Sequence, residues 1–263
     1  MATQDVEVLK RHNERIGTVL QLAAQRFFLI CMFGTIVYPL LHCLFRLEVR
    51  GRQVLDDVGD RFVYAAQHYY EWDPLMLWCA GIWILAWRRH HFIANSIAGP
   101  FWSQTPLHRA ASWLLGIMFT IKGHEPESGA VGRAVRLLNG SLPVSIAVYP
   151  TGPVGRSRNC RFYPGIALLT EACPTVPIIP VSLKGLENIT MREVLQFKRP
   201  RLFVEFGAPF FGAEFLHIAL EERLQALREK LASAWGVQEL LVTRQDEAVT
   251  ALTDQPVWQS VSQ

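Results

Sequence analysis

Short apolar runs alternate with longer amphipathic stretches from Leu47 to about residue 235. The short runs predict strands, and the stretches between them carry apolar residues at helical spacing. The predicted strands cover residues 61–66, 91–95, 117–122, 144–150 and 176–183, and the predicted helices cover 74–87, 100–115, 129–139 and 165–172. We predict a further, edge strand at 201–207 and a last amphipathic helix at 213–235. Alternating strands and helices are typical of α/β domains, so we predict a mixed, mainly parallel sheet flanked by helices.

The N-terminal part of the chain has a different pattern. Residues 5–24 have apolar side chains at helical spacing among charges, and residues 27–45 carry no formal charge. This uncharged run is about as long as a helix that crosses a hydrocarbon core. Pro39 and His42 interrupt it, and basic residues flank both ends, which favours insertion into one leaflet over a true span. A buried core helix is the third interpretation.

These patterns divide the chain into three predicted parts. Membrane-associated helices occupy residues 1–46, an α/β domain occupies 47–240, and a polar tail occupies 241–263. A long charged lead precedes the apolar run, so we expect no cleaved signal peptide. The basic flanks favour the cytoplasmic face of a membrane.

Composition supports contact with lipid and excludes other classes of partner. Half of the residues are hydrophobic, eight are tryptophan, and mean hydropathy is +0.16. The net charge of +3 is mild and no dense basic run occurs, which argues against a nucleic-acid partner. The five cysteines are odd in number and lack CxxC spacing, so we expect reduced thiols. We expect no metal site and no bound cofactor, since His108 and His124 have no partner at a metal-ligand spacing.

The stretch QHYYEWDP, residues 67–74, places His68 and Asp73 between a predicted strand and a predicted helix. One interpretation is a simple helix start, because an N-cap aspartate accepts backbone N–H groups and Pro74 fits the first turn. The other is an acid/base pair. On a continuous helix the two side chains would point about 140° apart, but a turn between strand and helix lets them meet. The carboxylate would then orient the imidazole while its other nitrogen takes a proton from a hydroxyl.

QHYYEWDP resembles the first block, HxxxxD, of the glycerolipid acyltransferases typified by 1-acylglycerol-3-phosphate O-acyltransferase. Three later stretches resemble the family's further blocks in the same order. GIMFTIK is similar to the second block, GxxFxxR, through Gly116, Phe119 and Lys122. VYPTGPVGRS is similar to the third block, Phe-Pro-Glu-Gly-Thr-Arg-Ser, through Pro150, Gly152, Arg156 and Ser157. VPIIPV, residues 176–181, is similar to the fourth block. Upstream, LEVRGRQVL is similar to the strand and glycine that precede the first block. The resemblance covers about residues 47–210.

The resemblance implies acyl transfer without a covalent enzyme intermediate. His68, held by Asp73, would act as general base on an acceptor hydroxyl, which attacks the thioester of acyl-CoA or acyl-ACP. Lysophosphatidate is the default acceptor, and membrane lipids are the expected partners together with the acyl donor. The candidate substrate-binding residues are Lys122, Thr151, Gly152, Arg156, Ser157 and Arg158, and the candidates for an acyl-chain pocket are Trp78, Pro177 and Pro180.

Four positions depart from the family pattern, and the two in the second and third blocks leave the acceptor open. Gln67 replaces the usual Asn, Tyr70 replaces Ser, Lys122 replaces Arg and Thr151 replaces Glu. Lysine keeps the charge of arginine but loses its bidentate recognition of phosphate. Because the second and third blocks are associated with the acceptor head group in the family, one alternative is another lipid acceptor, such as a lyso-aminolipid or a glycosylated isoprenoid. A weakly active or inactive membrane scaffold is the other alternative.

Overall fold

A computed structural model of the chain describes residues 3–67, 73–77, 80, 92–98, 105–119, 129–151, 162–185, 189, 192, 194 and 196–237. The described residues confirm the predicted fold class, a mixed and mainly parallel sheet flanked by helices. The strands are β1 (Arg46–Arg50), β2 (Arg61–Ala66), β3 (Phe92–Ala98), β4 (Ile117–Phe119), β5 (Val144–Val148), β6 (Pro177–Lys184), β7 (Arg201–Phe206) and β8 (Phe210–Phe211). Their order across the sheet is β1-β7-β6-β2-β5-β3-β4, and β8 pairs with β6.

The helices described are numbered in chain order. They are α1 (Thr3–Arg15), α2 (Val19–Leu44), α3 (Val54–Asp57), α4 (Asp73–Leu77), α5 (Pro106–Leu114), α6 (Ala130–Leu138), α7 (Gly165–Ala172) and α8 (Leu220–Trp235). Within α2, Leu29–Val37 is π-helical and the parts on either side are α-helical. The helices predicted at 129–139 and 165–172 are confirmed within one residue at each end. Of the predicted helix at 74–87, only residues 74–77 and 80 lie among the described residues.

Helices cover both faces of the sheet. Strands β2 to β6 run parallel to one another, β7 is antiparallel to β6, and β1 is parallel to β7. Alternate side chains of β2 enter two cores: Val63 and Ala65 pack with residues of α6, α7 and α8, and Tyr64 and Ala66 pack with residues of α2 and α4. A sheet buried on both faces requires nearly continuous apolar strands, which is why these strands were recognisable in the sequence.

The C-terminal helix α8 closes one face. Leu224, Leu227 and Leu231 are buried, and the helix ends at Gly236 with φ of +68°, as its left-handed cap predicts. The indole of Trp235 is fully buried, and its Nε1 donates to the carbonyl of Ala65 at 3.2 Å. The last turn of α8 is therefore attached to the central strand β2.

The predicted extents of two helices were wrong. The expected start at residue 213 lies in a separate 3₁₀ turn, Gly212–Phe215, in which Glu214 accepts from the backbone N–H of Phe211. The amphipathic stretch 5–24 is two helices and not one, because the chain turns at Gly17, whose φ is +78°. A Cβ at Gly17 would lie 2.2 Å from Leu137, so the turn is fixed by packing against α6.

The strand predicted at the edge of the sheet lies inside it. Strand β7 has β6 on one side and β1 on the other, with Val49 opposite Val204. The edges of the described sheet are β1 and β4. An apolar run does not reveal its neighbours, so the pairing of β1 with a strand some 155 residues later was not visible in the pattern.

Helix α2 is, by length and composition, the one helix of the described residues able to cross a membrane; the mean hydropathy of its most apolar window is 2.0. Only 17% of that window is buried, so α2 is not a core helix. Leu22, Leu29, Phe33 and Leu41 face the protein at helical spacing, and the apolar side chains of the opposite face are exposed: Phe27, Met32, Ile36 and Leu40.

Both ends of α2 are attached to the α/β domain. Near its start, Gln21 Nε2 donates to the carbonyl of Trp113 at 3.0 Å, and near its end Arg199 Nη2 donates to the carbonyl of His42 at 2.7 Å. Upstream, Ile16 belongs to the same core as Val63 and Trp235. The predicted N-terminal part is thus packed on the domain along much of its length.

Gly51 offers a test of how strand β1 is held in the sheet. Its φ is +67°, and a Cβ there would lie 2.1 Å from the carbonyl oxygen of Phe206. We expect Gly51→Ala to lower the free energy of unfolding by about 2 kcal/mol or more, because both the conformation and the space require glycine. Thermal melting in detergent measures this, at about 2–4 °C per kcal/mol for a chain of this size.

Gly59→Ala is the matched control, because no atom lies within 4 Å of a Cβ at that position. We expect its melting temperature to stay within about 2 °C of the wild type. Equal melting temperatures for the two variants would contradict the role assigned to Gly51.

Candidate active site

The segments that resemble the first and third blocks leave the sheet side by side. Strands β2 and β5 are parallel neighbours with Ala65 opposite Val148. Gln67 and Pro150 each follow these residues by two positions, so both chains emerge at the same edge of the sheet. Ligands of parallel α/β sheets usually bind at this carboxyl edge. The fold therefore brings Asp73 and Thr151, which are far apart in sequence, to one end of adjacent strands.

Asp73 begins α4 and is buried, with 1% of its surface exposed. Met76 and Leu77 of the same helix pack into the core that contains Ala66 and Tyr149, which holds the start of the helix against the sheet. Burial raises the pKa of Tyr149, and the negative charge of Asp73 raises that pKa further. The phenol therefore stays protonated at neutral pH beside the carboxylate. We had not predicted Tyr149, although its position directly before Pro150 of the third block was a usable signal.

Gln67 fixes the end of β2 just before the predicted histidine. Its backbone N–H donates to the carbonyl of Val181 at 3.2 Å. Its side-chain oxygen accepts from the N–H of Leu183 at 3.3 Å and from the hydroxyl of Ser182 at 3.4 Å. The same hydroxyl also lies 3.3 Å from the carbonyl oxygen of Trp235, so its single proton is shared between the two acceptors. Gln67 thus connects β2, β6 and the end of α8, and the replacement of asparagine by the longer glutamine has a structural role here.

Thr151 lies directly after β5 with only 7% of its surface exposed. Its hydroxyl Oγ1 has no hydrogen-bond partner among the described residues. A buried polar group without a partner costs about 1–3 kcal/mol, so such groups are usually paired. Thr151 is therefore one of several described residues with a buried and unpaired polar side-chain atom, and it lies close to the carboxyl edge.

The second block lies on edge strand β4, and helix α1 completes its hydrogen bonding. Gly116 enters the strand with φ of +70°, and Phe119 ends it fully buried. Asn13 of α1 accepts from the N–H of Phe119 at 2.8 Å and donates to its carbonyl at 2.9 Å. His12 donates through Nε2 to the carbonyl of Ile117 at 2.9 Å. Two polar side chains of α1 therefore replace the missing neighbour strand, a role that sequence reasoning did not find.

The proline candidates for an acyl pocket are separated by the structure. Pro180 is buried in β6 opposite Ala65, close to the carboxyl edge. Pro177 lies at the opposite end of β6, four residues and about 13 Å from Val181. There it pairs with Phe211 of β8. The structure does not bring Pro177 to the edge that holds Asp73 and Thr151.

The remaining predicted residues lie outside the described part of the chain and stay predictions. They are His68, Trp78, Lys122, Gly152, Arg156, Ser157 and Arg158. The described residues contain no group of three or more His, Cys, Asp or Glu side chains placed to hold a metal ion. Burial raises the pKa of the free thiol of Cys173 to about 11, which keeps that thiol protonated and a poor nucleophile.

The distances across the sheet limit what the edge can bind. From β2 the order runs through β5 and β3 to β4. At the usual strand spacing, β4, which carries Phe119 of the second block, lies about 14 Å from β2, while β5, which leads to Pro150 and Thr151, lies directly beside β2. A ligand that reaches from Asp73 toward the second block is therefore an extended molecule.

Comparison with known proteins agrees with this arrangement. The family model described as Acyltransferase matches residues 46–184, just over half of the chain. Among solved structures, the chain is similar to the 1-acyl-sn-glycerophosphate (LPA) acyltransferase PlsC from Thermotoga maritima, with 17% sequence identity and a TM-score of 0.50 over 90% of this chain and 96% of that one. At that identity the likeness establishes the fold. A search of curated protein sequences found no match.

Asn13 is the residue to test for the attachment of α1 to the second block. We expect Asn13→Ala to expose the backbone N–H of Phe119 and to speed its hydrogen exchange by about thirtyfold, equivalent to about 2 kcal/mol of lost local stability. Hydrogen–deuterium exchange followed by mass spectrometry over residues 115–121 measures this change. Asn139→Ala is the control, because Asn139 is exposed and its side chain donates only at 3.5 Å. Unchanged exchange in Asn13→Ala would show that these two bonds do not hold the strand.

Proposed function

The chain belongs to the acyltransferase family, and we propose that it transfers a fatty acyl group from acyl-CoA or acyl-ACP to a hydroxyl of a lysophospholipid. Lysophosphatidate is the acceptor we propose first, because the protein that shares the fold, PlsC, is described as acting on this lipid class. The observation that carries the proposal is the buried Asp73, placed after β2 at the edge where the third block emerges from β5.

The proposed chemistry uses His68 as general base. As the acceptor oxygen attacks the thioester carbonyl carbon, the imidazole takes the hydroxyl proton, and the carbonyl oxygen becomes an oxyanion. The C–S bond then breaks, the thiol of the donor leaves with the proton from the imidazolium, and the ester remains on the acceptor. The carboxylate of Asp73 orients the imidazole and stabilises its positive charge, as in other aspartate–histidine pairs. No thiol nucleophile is required, consistent with the protonated Cys173.

The contacts of Asp73 support a fixed carboxylate. Met76 and Leu77 hold α4 in the core that also contains Tyr149, and the charge of Asp73 raises the pKa of Tyr149. A catalytic carboxylate that is packed in place loses little freedom when the imidazole becomes charged, which favours the transition state. Gln67, the residue directly before His68, is fixed in place, since its side chain ties the end of β2 to β6.

Helix α2 supports the proposal that the enzyme takes its acceptor from a membrane. The helix is attached to the domain at Gln21 and at His42, near its two ends. A helix held at both ends on a domain that lies outside the bilayer has no free end to reach the opposite surface. We therefore propose that α2 lies in one leaflet through its exposed face, as monotopic helices do, with the domain on the cytoplasmic side.

A second acceptor class is favoured by Thr151. The family usually has glutamate there, and here the buried Oγ1 is without a partner among the described residues. A hydroxyl recognises an uncharged hydroxyl or amide as readily as a phosphate, so the acceptor on this alternative is a lyso-aminolipid or a glycosylated isoprenoid. If an acyl acceptor leaves a buried hydrogen-bond donor of the site unpaired, the enzyme discriminates strongly against that acyl acceptor.

His68→Ala tests the general base. We expect acyl transfer, followed with labelled acyl-CoA and acyl-ACP on a panel of lysolipid and glycolipid acceptors, to fall by about 10²–10⁴-fold. His217→Ala is the control, since His217 is exposed near the start of α8; it should keep wild-type activity. Retained transfer by His68→Ala would remove the proposed role, and absence of any wild-type product on the whole panel would favour a membrane scaffold.

Asp73→Asn separates the catalytic role of the carboxylate from its structural role. Asparagine starts a helix about as well as aspartate, so a purely structural Asp73 predicts unchanged activity and unchanged melting. We expect normal melting but a loss in kcat of about 10³-fold or more, because an amide does not stabilise the imidazolium. Loss of the fold in this variant would instead indicate that the charge is needed for stability.

Thr151→Glu tests the acceptor. With lysophosphatidate as the natural acceptor, we expect the variant to use it as well as or better than the wild type, as a return to the usual family residue. Thr151→Gln is the matched control, because it has the same shape without the charge. A tenfold or greater loss confined to a different acceptor, in both variants, would support the second class and identify the Thr151 hydroxyl as a specificity group.

A further inference from the structure

A pocket of about 580 Å³ opens between α1, the start of α2 and α5. This volume is in the range of pockets that bind small molecules, roughly 300–1,000 Å³. Its lining combines three arginines, Arg11, Arg15 and Arg109, with the apolar side chains of Val8, Leu20 and Trp113. None of these residues belongs to the site around Asp73.

The pocket concentrates positive charge. Val8, Arg11, His12 and Arg15 lie on one face of α1, because they are separated by three, four and seven positions. Arg11 is paired with Glu7 at 3.2 Å, but the side chain of Arg15 makes no hydrogen bond or ion pair within the described part of the chain. Two arginines four residues apart repel each other on an isolated helix. An anion between them and Arg109 would relieve that repulsion.

The protonation of His12 is consistent with the positive charge of the pocket. Burial lowers the pKa of His12, and the charges of Arg15 and Arg109 lower it further against the opposing hydrogen bond to Ile117. The imidazole is thus neutral at physiological pH, and the positive charge of the pocket comes from its arginines. No aspartate or glutamate is among the described residues that line it.

The rim of the pocket is apolar and exposed. Leu20 and Val8 of the lining are 73% and 44% exposed, and Val19 and Leu107 beside them are 79% and 77% exposed. This apolar rim continues onto the outward face of α2 at Phe27. Contact with an apolar rim stabilises bound acyl chains, because it removes apolar surface from water, but it does not stabilise a free phosphate ion.

We propose that this pocket binds one anionic phospholipid, with the phosphate between Arg15 and Arg109 and the acyl chains along Leu20 and the outward face of α2. Arginine is suited to this role because its planar guanidinium holds phosphate oxygens in pairs. The inference goes beyond acyl transfer and does not depend on it: the bound lipid is a fixed ligand of the N-terminal helices.

The proposal is tested with the full-length chain in detergent. Water-soluble dihexanoyl phosphatidylglycerol and dihexanoyl phosphatidylcholine are titrated separately, and binding is measured by native mass spectrometry and calorimetry. We expect the anionic lipid to bind at least tenfold more tightly than the neutral one. Arg15→Gln combined with Arg109→Gln should weaken binding of the anionic lipid by about thirtyfold, at about fivefold for each arginine near a head group.

Two further variants separate a pocket from diffuse attraction. Ala110→Phe fills the pocket without changing the charge, because Ala110 is exposed and lines it; we expect loss of the tight site. Arg136→Gln removes one charge from an exposed position of α6 outside the pocket and should leave the affinity unchanged. Melting temperatures in the same detergent confirm that each variant is folded.

The outcomes are distinct. Wild-type affinity in Ala110→Phe, or an equal loss in Arg136→Gln and the arginine pair, would mean nonspecific electrostatic attraction and would overturn the proposal. Inorganic phosphate that binds as tightly as phosphatidylglycerol would assign the pocket to a soluble anion and would overturn it too. Lipid affinity is measured without an acyl donor, so a failure here is independent of a failure of the proposed acyl transfer.

Discussion

The parallel pairing of β2 with β5 is the constraint on which the site depends. With Ala65 opposite Val148, the two chains leave the sheet together, and the residues that follow them share one edge. A shift of one residue would turn every side chain of β2 to the other face and exchange the two cores. The register is protected because Val63 and Ala65 belong to one core while Tyr64 and Ala66 belong to the other. Packing on both faces thus holds the position of the chemistry.

Several polar side chains are buried at the carboxyl edge of the sheet. Asp73, Gln67 and Thr151 are all buried there, and Tyr149 is kept protonated beside the carboxylate. Buried polar groups lower stability unless they are paired, so each position has a cost that the rest of the fold offsets. The side-chain oxygen of Gln67 is paired with β6, whereas its Nε2 and the hydroxyl of Thr151 have no partner among the described residues.

The N-terminal helices belong to the same structure as the site. Asn13 and His12 complete the edge of β4, and Gln21 holds the start of α2 against α5. These contacts join residues more than 90 positions apart through side chain to backbone hydrogen bonds. Because α2 also presents an exposed apolar face, a membrane that holds this face is mechanically connected to the strand of the second block. The N-terminal helices and the edge of β4 therefore form one connected layer.

The sequence by itself determined the elements and their class. Strands buried on both faces are apolar throughout, and the apolar residues of an amphipathic helix recur once per helical turn. The elements β2, β5, α6 and α7 were therefore predictable from the local pattern. The resemblance to the family blocks selected Asp73 by residue type and spacing, and Thr151 by its position in the third block alone. The break at Gly17 and the separate turn at Gly212–Phe215 were missed, because packing against Leu137 and a hydrogen bond from Phe211 decide them.

Only the tertiary structure decided which elements are neighbours. The inner position of β7, the effect of the Asp73 charge on the pKa of Tyr149 and the bonds from Asn13 to Phe119 join distant parts of the chain. Hydrophobic periodicity is a local property, because it records which side of an element is buried. It carries no information about the partner that buries it, and partners are selected by the register and packing of the whole sheet.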